Sequence, residues 1–139
     1  REHCTEGHMV VEEVPRSGAR VAVGPTLTHA GKIEVENRTF ATPGILAAAG
    51  CQVSIITDSP VIPQQYLPLC AGLAVKAGMD PFAALQAITI NPAKHLGVED
   101  RVGSLEVGKD GDVVVTDGDI MVSDTHVVAV IVNGQKVVG

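Results

Sequence analysis

With 139 residues, 45% of them hydrophobic and 19% charged, the chain has the make-up of one globular domain with a modest core. A formal net charge of −6 and the lack of any basic run argue against a nucleic-acid partner. No apolar stretch approaches the length of a membrane span and no secretory leader is expected, so no membrane partner is expected either.

Aromatic residues make up only 2% of the chain, so the core has to be built from Val, Ile, Leu and Ala. Cys4, Cys51 and Cys70 are odd in number and form no C-x-x-C pair. Cys51 and Cys70 lie in apolar surroundings and read as small hydrophobes, which fits a reducing, cytoplasmic compartment. The sequence begins on Arg1-Glu2-His3-Cys4-Thr5-Glu6-Gly7, which reads as a strand end already under way, so a piece of a longer protein is expected.

Taken in chain order, residues 7–17 predict a helix with Met9, Val10, Val11 and Val14 on its apolar side, cut short by Pro15 and stopped by Gly18. Residues 20–24 predict a short buried strand, and residues 25–37 a loop. Thr42-Pro43 predicts a helix start, a capping residue followed by proline, with Ile45, Leu46 and Ala49 buried and Gly50 as the stop. Residues 53–57 form a β-branched run that ends abruptly in Asp58, which predicts a buried strand. Helix, strand, helix, strand implies parallel β/α units, an α/β fold.

Beyond Asp58, the spacing of Tyr66, Leu69, Cys70, Leu73 and Ala77 predicts an amphipathic helix. Asp80-Pro81 predicts another, with Ala84, Leu85 and Ile88 buried. Asn91-Pro92 predicts a last short turn to Leu96, closed by Gly97. The character changes near Glu99. Turn formers fill residues 103–112, residues 113–115 and 127–132 predict strands, and Asn133-Gly134 is a two-residue hairpin turn into residues 136–138. The tail reads as a small antiparallel β element.

Chemistry concentrates at one edge. In parallel α/β folds the C-terminal ends of the strands carry the active groups, which makes Asp58 the first candidate. From spacing alone it reads equally well as a cap or turn residue. His3 follows a second apparent strand end, and an imidazole with a carboxylate suits Zn²⁺ or a similar divalent ion. His29, in the loop after a strand, is a candidate substrate contact; a solvated loop histidine is the competing reading. His8, His95 and His126 read as structural or surface residues. Glu106, Asp110 and Asp112 read as turn-holding carboxylates, since EF-hand spacing is absent.

Taken together, these segments resemble the C-terminal part of the metal-dependent amidohydrolase superfamily, near its imidazolonepropionase-like and prolidase-like branch. Glu2-His3-Cys4-Thr5-Glu6-Gly7 looks like the end of the sixth strand of a (β/α)8 TIM barrel. Val23-Gly24-Pro25-Thr26-Leu27-Thr28 looks like the seventh strand, and Ile55-Ile56-Thr57-Asp58 the eighth. Thr89-Ile90-Asn91-Pro92-Ala93-Lys94 with Leu96-Gly97, then residues 103–109 and 112–115, look like the exit into a small β-sandwich. The resemblance implies residues 1–98 as barrel units and 99–139 as β-sandwich strands.

The resemblance also implies roles. A divalent metal, Zn²⁺ first among candidates, lowers the pKa of a water and polarises the scissile carbonyl. Asp58 is implied as metal ligand and general base. His3 is implied as metal ligand or carbonyl polariser, and Thr26, Thr28 and His29 as substrate contacts. The implied reaction is hydrolysis of a C–N bond in a small-molecule cyclic amide, amide or dipeptide. The superfamily's His-x-His pair and the ligands of the fourth and fifth strands are missing, so the chain is expected to be inactive by itself. Exposed sheet edges imply a homo-oligomer. The alternatives are a non-catalytic structural or assembly module of the same fold, and a different metal hydrolase that uses Asp58.

Overall fold

The computed structural model describes residues 4–28 and 36–139. His3 and His29 therefore lie outside the described residues. Two short parallel strands, β1 (Val21–Val23) and β2 (Val53–Ile55), pair in the register Val21 with Val53, Ala22 with Ser54 and Val23 with Ile55. All six residues are buried, which explains the β-branched and small residues of both strands, Ser54 being the one polar residue among them. The Val21 N–H donates to the Gln52 carbonyl (3.1 Å) and the Ile56 N–H to the Val23 carbonyl (3.0 Å), so the pairing continues past each formal end. The Cys4 N–H donates to the Ala22 carbonyl (2.9 Å), which sets the opening segment beside β1.

The expected first helix is split. A 3₁₀ turn covers Gly7–Val10 and a four-residue helix, α1, covers Glu13–Arg16. Pro15 sits inside α1, where a longer helix would lose a hydrogen bond and clash. Helix α2 (Thr42–Ala48) returns from the C-terminal edge of the sheet to the start of β2. Its cap is Ala41 and not Thr42. The buried Thr42 hydroxyl is engaged elsewhere, donating to the Thr5 carbonyl at 3.0 Å. Leu46 is fully buried, whereas Ile45 and Ala49 are exposed, against expectation.

After β2 the chain passes through a 3₁₀ turn (Gln64–Tyr66) into α3 (Leu67–Lys76), with Pro68 in its first turn as expected. The buried residues of α3 are Cys70, Ala71 and Ala74, while Tyr66 and Leu69 are exposed. The small side chains let neighbours come close. A Cβ on Gly72 would run into the backbone carbonyl of Met121, so a side chain there would push apart α3 and the loop before β4. Helix α4 (Pro81–Ala87) opens as predicted: Asp80 accepts from the Ala83 N–H at 2.8 Å. Replacing Asp80 by Ala is expected to cost about 1 kcal/mol, measurable by chemical denaturation of the full-length protein. Helix α4 buries Ala84 and Ala87, with Leu85 half out. Helix α5 (Ile90–Leu96) ends on Gly97 in the left-handed conformation, as predicted. Its Asn91 side chain donates to the Val53 carbonyl (2.9 Å) on β2.

Two apolar clusters result. Ile55, Ile62, Cys70, Ala71, Ala74, Met79, Ala84 and Ala87 pack together between β2, α3 and α4. Val14, Val21, Val23, Leu46 and Val53 pack together under α2. The tail forms an antiparallel sheet in the order β3 (Val113–Thr116), β4 (Val127–Val132), β5 (Gln135–Val138). Asn133 and Gly134 both take positive φ (50° and 74°), as the predicted two-residue hairpin requires. The carboxylates before it hold turns, as expected. Asp110 pairs with Arg101 at 2.6 Å, Asp112 accepts from the Asn133 N–H at 2.8 Å, and Glu106 accepts from the Ser104 hydroxyl at 2.5 Å. That hydroxyl first, and Lys109 second, hold the Glu106 carboxyl below its usual range. No helix among the described residues is long and apolar enough to cross a membrane.

Candidate functional site

Parallel strands place all their carboxyl ends at one edge, and Asp58 stands at that edge, three residues past β2. Along β2 the side chains alternate. Val53 and Ile55 enter the two apolar clusters, so Ser54 between them belongs to the opposite face, and the chain then leaves the strand before the turn that holds Asp58. Asp58 is half-buried and its backbone is left-handed, with φ of 53°. That conformation costs a non-glycine residue roughly 1–2 kcal/mol, and it is held by the turn that follows. The Asp58 carbonyl accepts from the Val61 N–H (2.9 Å) and the Thr57 carbonyl from the Ile62 N–H (3.2 Å). Ile62, buried, anchors the turn in the core. A carboxylate held in this conformation at a strand end makes Asp58 a candidate functional position.

The neighbouring strand ends with equal constraint. Gly24 has φ of 149°, and a Cβ there would land on the Ile56 carbonyl group. Only glycine lets β1 and β2 stay this close at the point where both open into the edge. Thr26 follows and is buried; Thr28 is half-buried. Arg38 clamps this loop, its guanidinium donating to the Pro25 carbonyl (3.3 Å) and the Thr28 carbonyl (2.6 Å). Sequence reasoning missed Arg38, because a single arginine after a loop carries no local pattern.

The structure thus brings Asp58, Thr26 and Thr28 to one edge of the sheet. His3 and His29 lie outside the described residues. Among the described residues no group of three His, Cys, Asp or Glu side chains is placed to hold a metal ion. The carboxylate of Asp58 is a suitable oxygen donor for a divalent cation, so the described residues fit as one part of a donor set and do not complete one. Burial pushes the Cys70 thiol up, and burial with the nearby Cys4 does the same for Cys51, so the reactive thiolate is disfavoured.

An adenine deaminase from Ruegeria sp. (strain TM1040) is 28% identical over 138 residues, covering 79% of this chain and 23% of that protein. An imidazolonepropionase from Symbiobacterium thermophilum is 40% identical over 82 residues, covering 57% of this chain and 19% of that protein. The solved structure of an amidohydrolase from Thermotoga maritima MSB8 superposes with a TM-score of 0.93 at 36% identity, over 98% of this chain and 36% of that one. The chain therefore spans about a quarter or less of those two curated relatives. Imidazolonepropionase was anticipated from the sequence, and adenine deaminase was not. The sequence pattern of the Amidohydrolase family matches residues 2–137, nearly the full length, and the chain belongs to that family.

Proposed function

We propose that this chain is the C-terminal part of a metal-dependent hydrolase that cleaves a C–N bond in a cyclic amide, an amide or a dipeptide, with Asp58 as its acid–base group. The observation that carries the reading is the half-buried carboxylate of Asp58, held in a strained left-handed turn at the C-terminal edge of parallel strands. At that edge an Asp58 carboxylate oxygen takes the proton of the attacking water and returns it to the departing nitrogen. Thr26 and Thr28 contact substrate at this edge, His29 is a further substrate contact, and Arg38 holds the loop that presents the two threonines. His3 joins Asp58 as a donor to a divalent cation, Zn²⁺ best matching an imidazole and a carboxylate; such an ion, when bound, makes water acidic and polarises the carbonyl. The barrel units end near residue 98, and residues 99–139 belong to a β-sandwich. The family's reaction class and the −6 charge fit a small-molecule substrate in the cytoplasm.

The test uses the full-length protein with the sequence that precedes Arg1. Three substrates are used: 4-imidazolone-5-propionate as a cyclic amide, an Ala-Pro dipeptide, and adenine, whose amidine C–N bond is the one named by the adenine deaminases this chain resembles. Turnover of at least one, abolished by a chelator and restored by Zn²⁺, is expected. Turnover indifferent to chelation, or hydrolysis of none of the three, contradicts the reading. Residues 1–139 expressed separately are expected to show no turnover and to self-associate through their sheet edges. An active or strictly monomeric fragment, by assay and light scattering, contradicts that expectation.

A further inference from the structure

His8 follows the opening segment, whose Cys4 N–H bonds to the Ala22 carbonyl of β1. Helix α2 leads back into β2, so its first residue, Thr42, lies toward the C-terminal edge of the sheet. The Thr42 hydroxyl is fully buried and touches two groups: the Thr5 carbonyl at 3.0 Å and His8 Nδ1 at 2.7 Å. A carbonyl only accepts, so the single hydroxyl proton goes to Thr5. The Thr42 oxygen must then accept from His8, which fixes the proton on Nδ1. The neutral imidazole is locked in one tautomer, and its other nitrogen, Nε2, carries a lone pair. Nε2 has no hydrogen-bond partner among the described residues. Nor is it a sealed polar atom: Ser54 Oγ is the one buried side-chain nitrogen or oxygen without a partner among the described residues. His8 is thus half-buried, oriented by a buried hydroxyl, and open at its accepting nitrogen.

A surface histidine needs no such lock. We propose that His8 Nε2 accepts a hydrogen bond from a ring N–H of the substrate, making His8 a specificity-determining residue for heterocyclic substrates. This rests on the hydrolase reading above and narrows its substrate class to cyclic compounds with an unsubstituted ring nitrogen. A Xaa-Pro dipeptide, whose scissile amide carries no N–H, is disfavoured.

The discriminating variant is His8→Asn in the full-length holoenzyme. Asparagine keeps an N–H near the Nδ1 position for Thr42 and removes the Nε2 acceptor. For 4-imidazolone-5-propionate or adenine, KM is expected to rise about tenfold, with kcat, metal content and melting temperature unchanged. An N-methylated form of the same substrate supplies a readout on the unaltered enzyme, which should discriminate against it by about tenfold. His8→Asn should erase that discrimination. Unchanged KM in the variant, equal use of both forms by the unaltered enzyme, or a loss of melting temperature and metal in His8→Asn overturns the proposal. Asp58→Asn separates the two levels of the argument: it silences both forms, while His8→Asn affects the N–H form only. An unaltered enzyme that hydrolyses none of the three substrates removes the hydrolase reading and this proposal with it.

Discussion

Asp58→Asn in the full-length protein is expected to lower kcat/KM by about 10³-fold, within the range that positioned acid–base groups supply, while the fold is retained. The substitution is chosen for its backbone. Asp58 occupies the left-handed region, with φ of 53°, and asparagine is among the residues that enter it most readily. The turn bonds from the Val61 and Ile62 N–H groups go to main-chain carbonyls and do not depend on the carboxylate. What is lost is one anionic oxygen donor and one proton acceptor at the mouth of the sheet. Steady-state kinetics beside a thermal melt check this. Turnover within a few-fold of the unaltered enzyme would remove Asp58 from the chemistry. Asp58→Ala is the poorer experiment, because the backbone strain would add a folding defect to the chemical one.

The largest effect on stability is expected at Gly24. An alanine there would place a methyl group on the Ile56 carbonyl, with Ile56 Cγ1 only 3.0 Å away, at a φ of 149° that side chains rarely adopt. Neither neighbour can yield cheaply, since one is backbone of the paired strand and the other is part of the same close approach. Gly24→Ala is expected to destabilise the full-length protein by roughly 4 kcal/mol or more, the range reserved for core strain and lost pairing. Gly50 provides the control. It also has positive φ, 90°, but nothing lies within 4 Å of its would-be Cβ. Gly50→Ala should cost only about 1–2 kcal/mol. Equal costs at the two glycines, from urea denaturation, would show that the β1–β2 approach is not the constraint described.

Much of this architecture is legible in local sequence. The run 53–57 ending in aspartate marks a strand end because β-branched residues favour the pleated backbone and an abrupt charge ends burial. Asp80-Pro81 and Asn133-Gly134 work for similar reasons: each encodes a backbone conformation within two residues. Other features depend on partners far along the chain. Thr42 has the chemistry of a cap, but its hydroxyl is taken by Thr5 and His8, more than thirty residues away in sequence. Helix α3 is apolar nearly all round, so periodicity cannot say which stripe is buried. Close packing picks the small residues Cys70, Ala71 and Ala74, and leaves Tyr66 and Leu69 outside. Asp58 could be singled out as a candidate because a strand announced it. Arg38 and His8 could not, since their roles come from loop carbonyls and a buried hydroxyl that no local spacing encodes.

The central claim is that Asp58 and His3 serve one metal-assisted site above neighbouring parallel strands. It is tested most directly by a crystal structure of the full-length protein with anomalous scattering recorded at the zinc edge. The account predicts a single strong peak with a carboxylate oxygen of Asp58 and a ring nitrogen of His3 each about 2.0–2.2 Å from it. A peak remote from both side chains, or His3 and Asp58 at opposite ends of the sheet, would contradict it.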